Sequence, residues 1–572
     1  MLVMSLVLPC VESNKGPKVW GLHGESWNRD LLLDWSYSGY AGKERGYPEP
    51  PFGANVLDFG AVGDGIVDCT GPFLAAIDTV SKHGGGTILI PAGRYLLKGR
   101  LVLSGNNIVL KGEGNEKTTL YYEHPLSSYD DFDVERHLTK GFLQSPYSWR
   151  DGVIQIVGHD RGSKDTSKMP HGWVVEPSTI GQRHLILDSV DGLVPGQWVR
   201  LMQSDVGGSL ASHLYGTDFD KISLMKTTAD DCEPQCASDI SNEQDLVKWV
   251  SRILEIQNGN VVVLQRALPM DVSPKWKARL LPMPDSMPKE SGVRDLTIEF
   301  AWASAGKHHH DQGYNGILIQ NAVNAFVYNV HTINAHQGFL VKNSQMVSLD
   351  SVKVGRTRSR RSKSMPWDGH IGIGLYDSSD VEVAEFDIRG EWLHDISVRG
   401  CLMSAFHSGR GDNLRIDTHR SAPYAILFSD IYVGEGTRTF GTGGFLSRGL
   451  PVAKYTTYYN IRNKKHKPIE LPASTVAGPC TWGKQVNYIG KWTGNECPGY
   501  HVEFITDSQV HPKDLYSAML RRKVETRNDF PTGVIPALQS RLAKTTSNTD
   551  QPPKIFPAGD GSYPVVHYPE TY

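Results

Sequence analysis

The chain has 572 residues, of which 58 are Gly and 33 are Pro, and its 59 Lys and Arg nearly balance 62 Asp and Glu for a net charge of -3. That balance excludes a polybasic nucleic-acid binder, and 39% hydrophobic residues with 13 Trp, 23 Tyr and 17 Phe exclude a disordered chain. No stretch reaches the run of about 20 apolar residues that a membrane span needs, so no membrane partner is expected.

In chain order, Met1–Cys10 is apolar without a basic start, and reads either as a secretory signal or as a buried first segment. Residues 17–50 follow neither a helical nor a strand period, which predicts a leader segment over 1–51 laid across a core. From Phe52 the pattern becomes a strand, a Gly/Asp turn, a helix near Pro72–Lys82, the stop Gly84-Gly85-Gly86 and an alternating strand. Pro just inside a helix and Gly just after it follow the usual asymmetry. Neither GxxxxGK[ST] nor a strand followed by GxGxxG is present, so a nucleotide loop is not expected. The run DFGAVGDG (58–65), followed by Asp68, an AAI helix and IPAGRY (90–95), resembles the opening of the pectate-lyase-like superfamily of right-handed parallel β-helices. WSYSGY (35–40) also resembles the leader of bacterial and algal β-helix proteins. The resemblance covers 52–125 and implies an all-β, single-stranded solenoid. Lyases, glycosidases and phage tailspikes share that fold, so one activity is not implied.

Residues 126–290 are less regular, with a turn-rich stretch at 203–245 and a hairpin Trp249–Arg266 turning at Asn258-Gly259-Asn260; they predict an insertion near 203–285. Beyond it the chain repeats. Gly316-Ile-Leu-Ile-Gln-Asn321 recurs as Gly338–Asn343 after 22 residues and as Gly372–Asp377 after a further 34, which places a 12-residue loop between coils. A second pattern, apolar-x-polar-apolar-x-apolar, starts at Val293, Leu349, Val383, Leu393 and Phe428, with a looser copy at Val327. No two-residue turn joins successive copies, so they read as coils of a solenoid over 52–450 rather than hairpins. Asn321, Asn343 and Asp377 are expected to stack at one bend. Beyond 450 the repeats fade, and 451–572 reads as a cap and tail in which a helix over His511–Glu525 closes the open end.

Seven cysteines include the near pairs Cys232 with Cys236 and Cys480 with Cys497, both in turn-rich sequence where a disulfide would staple a loop. Cys401 sits in an apolar stretch and reads as core. These pairs favour a secreted protein. No interface pattern indicates an oligomeric state.

Strand side chains alternate, so in G-h-x-h-x-N the h residues face inward and the x residues outward. The second x is Gln320, Lys342 and Tyr376, and by a looser match His407 in SAFHSG, which suggests a catalytic strip of Lys342, Tyr376 and His407. Such residues fit β-elimination of an acidic, uronate-containing polysaccharide: Lys342 neutralises the carboxylate, while Tyr376 and His407 serve as base and acid. Members of the resembled superfamily use Lys, Arg, Tyr or His on an outward sheet, sometimes with Ca2+, so calcium is the one cofactor the resemblance implies. A polar cluster supplies candidate substrate-binding residues: His370, His394, Arg410, His419 and Arg420, with an Arg able to clamp a carboxylate. The basic run Arg356–Lys363 suits either a polyanion or a solvated loop. His308-His309-His310 is not expected to bind metal, because adjacent strand residues face opposite ways. Two alternatives stay open: a glycoside hydrolase with a carboxylate pair drawn from Asp395, Asp412 and Asp417, and a non-catalytic carbohydrate-binding surface protein.

Overall fold

In a computed structural model of the chain, Ile317 and Ile319 enter the solenoid core while Leu318 lies outside it, as the pleat of a strand requires. The structure describes residues 16–140, 144–158, 172–217, 245–284, 286–363, 365–444, 448–472, 474–475, 478–505 and 510–526. Each coil runs over three faces of a right-handed parallel β-helix. The face that concerns function is an eight-stranded parallel sheet: Leu101–Leu103, Ile154–Val157, Asn315–Gln320, Gln337–Lys342, Gly369–Tyr376, Trp392–Arg399, Ile416–Thr418 and Phe440–Thr442. A second face carries the column Val293, Val327, Leu349, Val383, Phe406, Phe428, Tyr458 and Tyr488 in continuous register. Its last four rings stack with centroids 5.3, 5.1 and 5.2 Å apart. The third face includes Lys353–Gly355, Asp387–Ile388 and Arg410–Gly411.

The bend after the eight-stranded sheet is a column of left-handed residues. Asn321, Asn343 and Asp377 have φ of 52°, 43° and 52°, a region that Asn and Asp tolerate best after Gly. The Asn343 amide donates to Asn321 Oδ1 at 2.6 Å. The next member is Gly400, where a Cβ would lie 2.4 Å from Asp377 Oδ1. The helix Thr70–Lys82 begins two residues before the expected Pro72 and buries Phe73, Ala76, Ile77 and Val80 against the first coil. The hairpin forms as expected, from Asp245–Gln257 and Val261–Leu264. Cys480 and Cys497 are disulfide-bonded, and Cys401 is buried and free. Cys232, Cys236 and Met1–Cys10 lie outside the described residues.

Several boundaries differ from expectation. The solenoid does not stop at 450: Thr457–Tyr459, Asn487–Gly490 and His501–Phe504 extend the second face in parallel register, and their repeats were hidden by long intervening loops. The insertion starts earlier than 203. It is a six-stranded antiparallel sheet drawn from Gly172–Trp173 to Arg279–Pro282, whose first strands are only two and three residues long. The C-terminal helix, Leu515–Thr526, lies along the flank of the coils rather than over their open end. It buries Leu515, Tyr516, Met519 and Leu520 in a second core shared with the leader (Trp20, Trp35), the insertion (Trp249, Leu280) and outward coil residues such as Leu402 and Tyr424. The leader crosses the coils as a strap: Trp35 Nε1 donates to Ala425 O at 2.7 Å and Ser38 Oγ to Met403 O at 2.6 Å.

Candidate functional site

The outer surface of the eight-stranded sheet carries one column of side chains that passes from coil to coil. Gln320 pairs with Lys342, Lys342 with Tyr376, and Tyr376 with Arg399. The pairing of Val398 with Thr418 extends the column to His419. The strip therefore contains Lys342 and Tyr376, but its following members are Arg399 and His419, not His407. LHDISV, starting at Leu393, is a strand of this sheet, whereas SAFHSG belongs to the second face, where Phe406 joins the Val293–Phe428 column. His407 is buried on that face between Glu382 at 3.3 Å and Asp514 at 3.0 Å, under the Tyr516 ring. Burial alone would depress its pKa, but the two carboxylates more than offset this and raise it to about 9.

Lys342 is part-buried and donates from Nζ to Trp149 O at 3.1 Å. Burial, Arg399 and Arg150 bring its pKa down to about 8, against the opposing pull of Asp377. Arg399 holds Asp377 at 2.8 Å and lies 5.5 Å from the Tyr376 ring centre. The Tyr376 ring folds back over Gly374, where a Cβ would come within 2.9 Å of its hydroxyl. Burial pushes the Tyr376 phenol up, so the group is a proton donor at neutral pH. Trp149 packs on this apolar patch, which also holds Leu318, Leu340 and Ile371, and its own backbone is left-handed at φ 54°.

Beside this patch the histidines gather. His370 Nδ1 lies 2.8 Å from Asp311, which also accepts from Ser148 Oγ at 2.5 Å. His394 Nδ1 lies 2.5 Å from Asp417, and His419 Nε2 lies 3.4 Å from the same carboxylate. Burial would raise Asp417, but the imidazoles of His419 and His394 hold it well below the usual carboxylate range. Burial brings His394 down to about 4 despite Asp417. His308 also belongs here: a turn at 308–309 directs its ring to within 5.0 Å of His370 and 5.9 Å of His394 between centres. The strand-alternation reasoning missed it because the triplet is not in a strand. The donors that converge are imidazole nitrogens, not the cage of six to eight oxygens that calcium takes, and Asp311 and Asp417 are engaged by histidines.

The other expected binding residues lie elsewhere. Arg410, on the third face, pairs with Asp387 at 2.8 Å. Arg420 is buried with φ 62° and donates to Gly449 O, because it occupies the bend after His419. The basic run is split: Arg356 holds Asp368 at 2.8 Å and buried Arg360 donates to Asn334 O at 3.0 Å, while Arg358, Arg361 and Lys363 stay exposed, Arg361 holding Glu391 at 2.8 Å. The three carboxylates weighed for a hydrolase are not free. Asp395 is ion-paired with Arg438, its pKa nevertheless raised by burial to about 7. Asp412 is held by Arg389 at 3.0 Å beside the third face, and Asp417 is clamped by histidines.

Residues 53–133 match a family model described as Rhamnogalacturonase A/epimerase, pectate lyase-like. Among curated proteins of Azotobacter vinelandii, mannuronan C5-epimerase AlgE2 is 53% identical over 121 residues, 21% of this chain and 12% of that protein. Alginate lyase 7 is 46% identical over 57 residues, 10% of this chain and 7% of that protein. The chain thus spans only a small part of the relatives it matches. Among solved structures, the tailspike protein gp49 from Pseudomonas phage LKA1 covers 76% of this chain and 70% of its own, at 12% identity and a TM-score of 0.43.

Proposed function

We propose that this pectate-lyase-like solenoid acts on an acidic, uronate-containing polysaccharide by removing the proton at C5 of a uronate, and that β-elimination follows. The observation that carries the reading is the column Lys342, Tyr376, Arg399, in which a lysine of lowered pKa stands next to a protonated tyrosine with a fixed cation one coil beyond. Arg399 bonds Asp377 through Nη2, and its remaining N–H groups bind the substrate carboxylate, so that the electrons left at C5 delocalise into it. Lys342, neutral in an appreciable fraction near pH 8, takes the proton. The bond from C4 to the glycosidic oxygen then breaks, and Lys342 returns the proton to the departing oxygen, since the Tyr376 hydroxyl is buried out of its reach. Trp149 offers an aromatic wall for a sugar ring. The Cys480–Cys497 disulfide supports action outside the cell.

The relatives named as mannuronan C5-epimerases favour a second reading with the same first step, in which C5 is reprotonated from the opposite face and no bond to C4 breaks. Hydrolysis by a carboxylate pair has less support, because Asp395, Asp412 and Asp417 are each committed to cations or histidines. One experiment separates these outcomes: incubate the full chain in heavy water with polymannuronate, alginate, pectate and glucuronan, then follow unsaturated ends, reducing ends and deuterium at C5. Unsaturated ends are expected. Deuterium without new ends would replace elimination with epimerisation, reducing ends without unsaturation would indicate hydrolysis, and no change on any glycan would leave a binding protein.

A further inference from the structure

We propose that His308, His370 and His394 form a binding site for one divalent transition-metal ion of the zinc class, open to solvent on its His308 side. The inference is independent of the glycan chemistry above. One ring nitrogen from each histidine falls in a group whose ligand atoms all lie within 4.8 Å of one another. Two nitrogens sharing a tetrahedral zinc lie about 3.3 Å apart, so the rings need to close by no more than about 1.5 Å.

The carboxylates around the group indicate which nitrogens are available. Asp311 engages Nδ1 of His370 at 2.8 Å and Asp417 engages Nδ1 of His394 at 2.5 Å. A carboxylate on Nδ1 orients the ring, fixes the tautomer and leaves the Nε2 lone pair free, the arrangement common behind metal-bound histidines. Both Nε2 atoms are buried and have no hydrogen-bond partner. A buried nitrogen without a partner is costly to maintain, and hydrogen bonding within the cluster does not account for two of them side by side. A metal ion satisfies both at once.

His308 supplies the third ligand from the opposite side. It lies outside the sheet, so the site closes only when this turn folds over the strands. The Trp149 ring packs edge-on against His308, His309 and His370, with centres 5.6, 4.9 and 4.5 Å away, and walls the site on one flank. Three imidazoles suit zinc, cobalt, nickel or copper and disfavour calcium and magnesium, which take oxygen. They leave a fourth position of a tetrahedral ion for water or a ligand oxygen. The overlapping group His394, Asp417, His419 is the weaker site, because Asp417 already bonds Nδ1 of His394.

The test uses the full chain made without a histidine tag, stripped with chelator and titrated with zinc sulfate by calorimetry and with cobalt(II) chloride by visible absorption. One equivalent of zinc is expected, with cobalt giving the visible bands of a four- or five-coordinate site. His308→Ala changes an exposed turn and should leave the fold intact while weakening zinc by about 10- to 100-fold or more. His370→Ala should abolish the cobalt spectrum. The proposal is overturned if the wild type binds no stoichiometric zinc, if it takes up calcium instead, or if affinity survives His308→Ala in a variant whose circular dichroism is unchanged.

Discussion

Replacing Lys342 by Arg keeps a positive charge in the column and removes the ability to lose a proton. The groups that face Lys342 are Tyr376, Arg399 and Asp377 on the neighbouring strands and bend, and Arg150 beside Trp149; Lys248 of the insertion reaches the same bend through Asn343 at 2.7 Å. With its pKa at about 8 rather than the usual 10.5, roughly a tenth of Lys342 is neutral at pH 7, about 300-fold more than for an ordinary lysine. An arginine at this position is effectively never neutral. A positioned general base contributes roughly 10²–10⁴-fold to turnover, so Lys342→Arg should lose about that much in kcat with little change in KM. The assay is the initial rate of unsaturated-end formation, or of C5 deuterium exchange, across the pH range, with circular dichroism to check folding. The wild-type rate should rise with pH to a midpoint near 8. An arginine variant that keeps more than about a tenth of the turnover, or a wild-type rate that falls as pH passes 8, would show that Lys342 serves as a fixed cation and refute its role as base.

Three further perturbations probe the scaffold. His407 has a folded pKa of about 9, above its usual 6.5, so its contribution to docking the C-terminal helix is full below about pH 6.5 and is lost as pH rises through 9; the melting difference between wild type and His407→Gln should shrink between pH 6.5 and 9.5, and a constant difference would contradict this. Phe428→Leu removes two ring stacks worth roughly 0.5–1.5 kcal/mol each and should cost about 1–3 kcal/mol in urea unfolding, whereas a loss below about 0.5 kcal/mol would show the stack to be incidental. Removing the disulfide with Cys480→Ser and Cys497→Ser opens a 17-residue span, about 3 kcal/mol in the chain-entropy model, and should expose that span to limited proteolysis; an unchanged cleavage rate would count against it.

The repeating coils were legible because Gly316–Asn321, Gly338–Asn343 and Gly372–Asp377 keep both the apolar alternation and a bend residue that accepts positive φ. The same criterion failed one coil later. In GEWLHDISVRG the bend residue is Gly400 rather than Asn or Asp, so by sequence LHDISV reads as part of the second face and SAFHSG as the next member of the strip, the reverse of their places in the structure. Both segments alternate, and alternation identifies a strand without saying which face of a coil it occupies. Arg399, a member of the polar cluster, falls outside the expected strip for that reason, although its spacing to the glycine after it matches that of Lys342 to Asn343. His308 was out of reach for a different reason: its approach to His370 depends on a turn. The flank was only half legible, since nothing local in Trp35 or Leu515 says that they share a core with Leu402 and Trp249.

That shared flank bears on the order in which the molecule can be completed during synthesis. Trp35 leaves the ribosome early, yet the carbonyl it bonds, at Ala425, is 390 residues downstream. At about 5–20 residues per second, roughly 20–80 seconds separate the two. Tyr516, which donates to Ser38 O, follows later still. The coils can therefore wind while the Trp35–Ser38 stretch still waits for its partners, and this stretch, made before the coils, is among the last to be fastened.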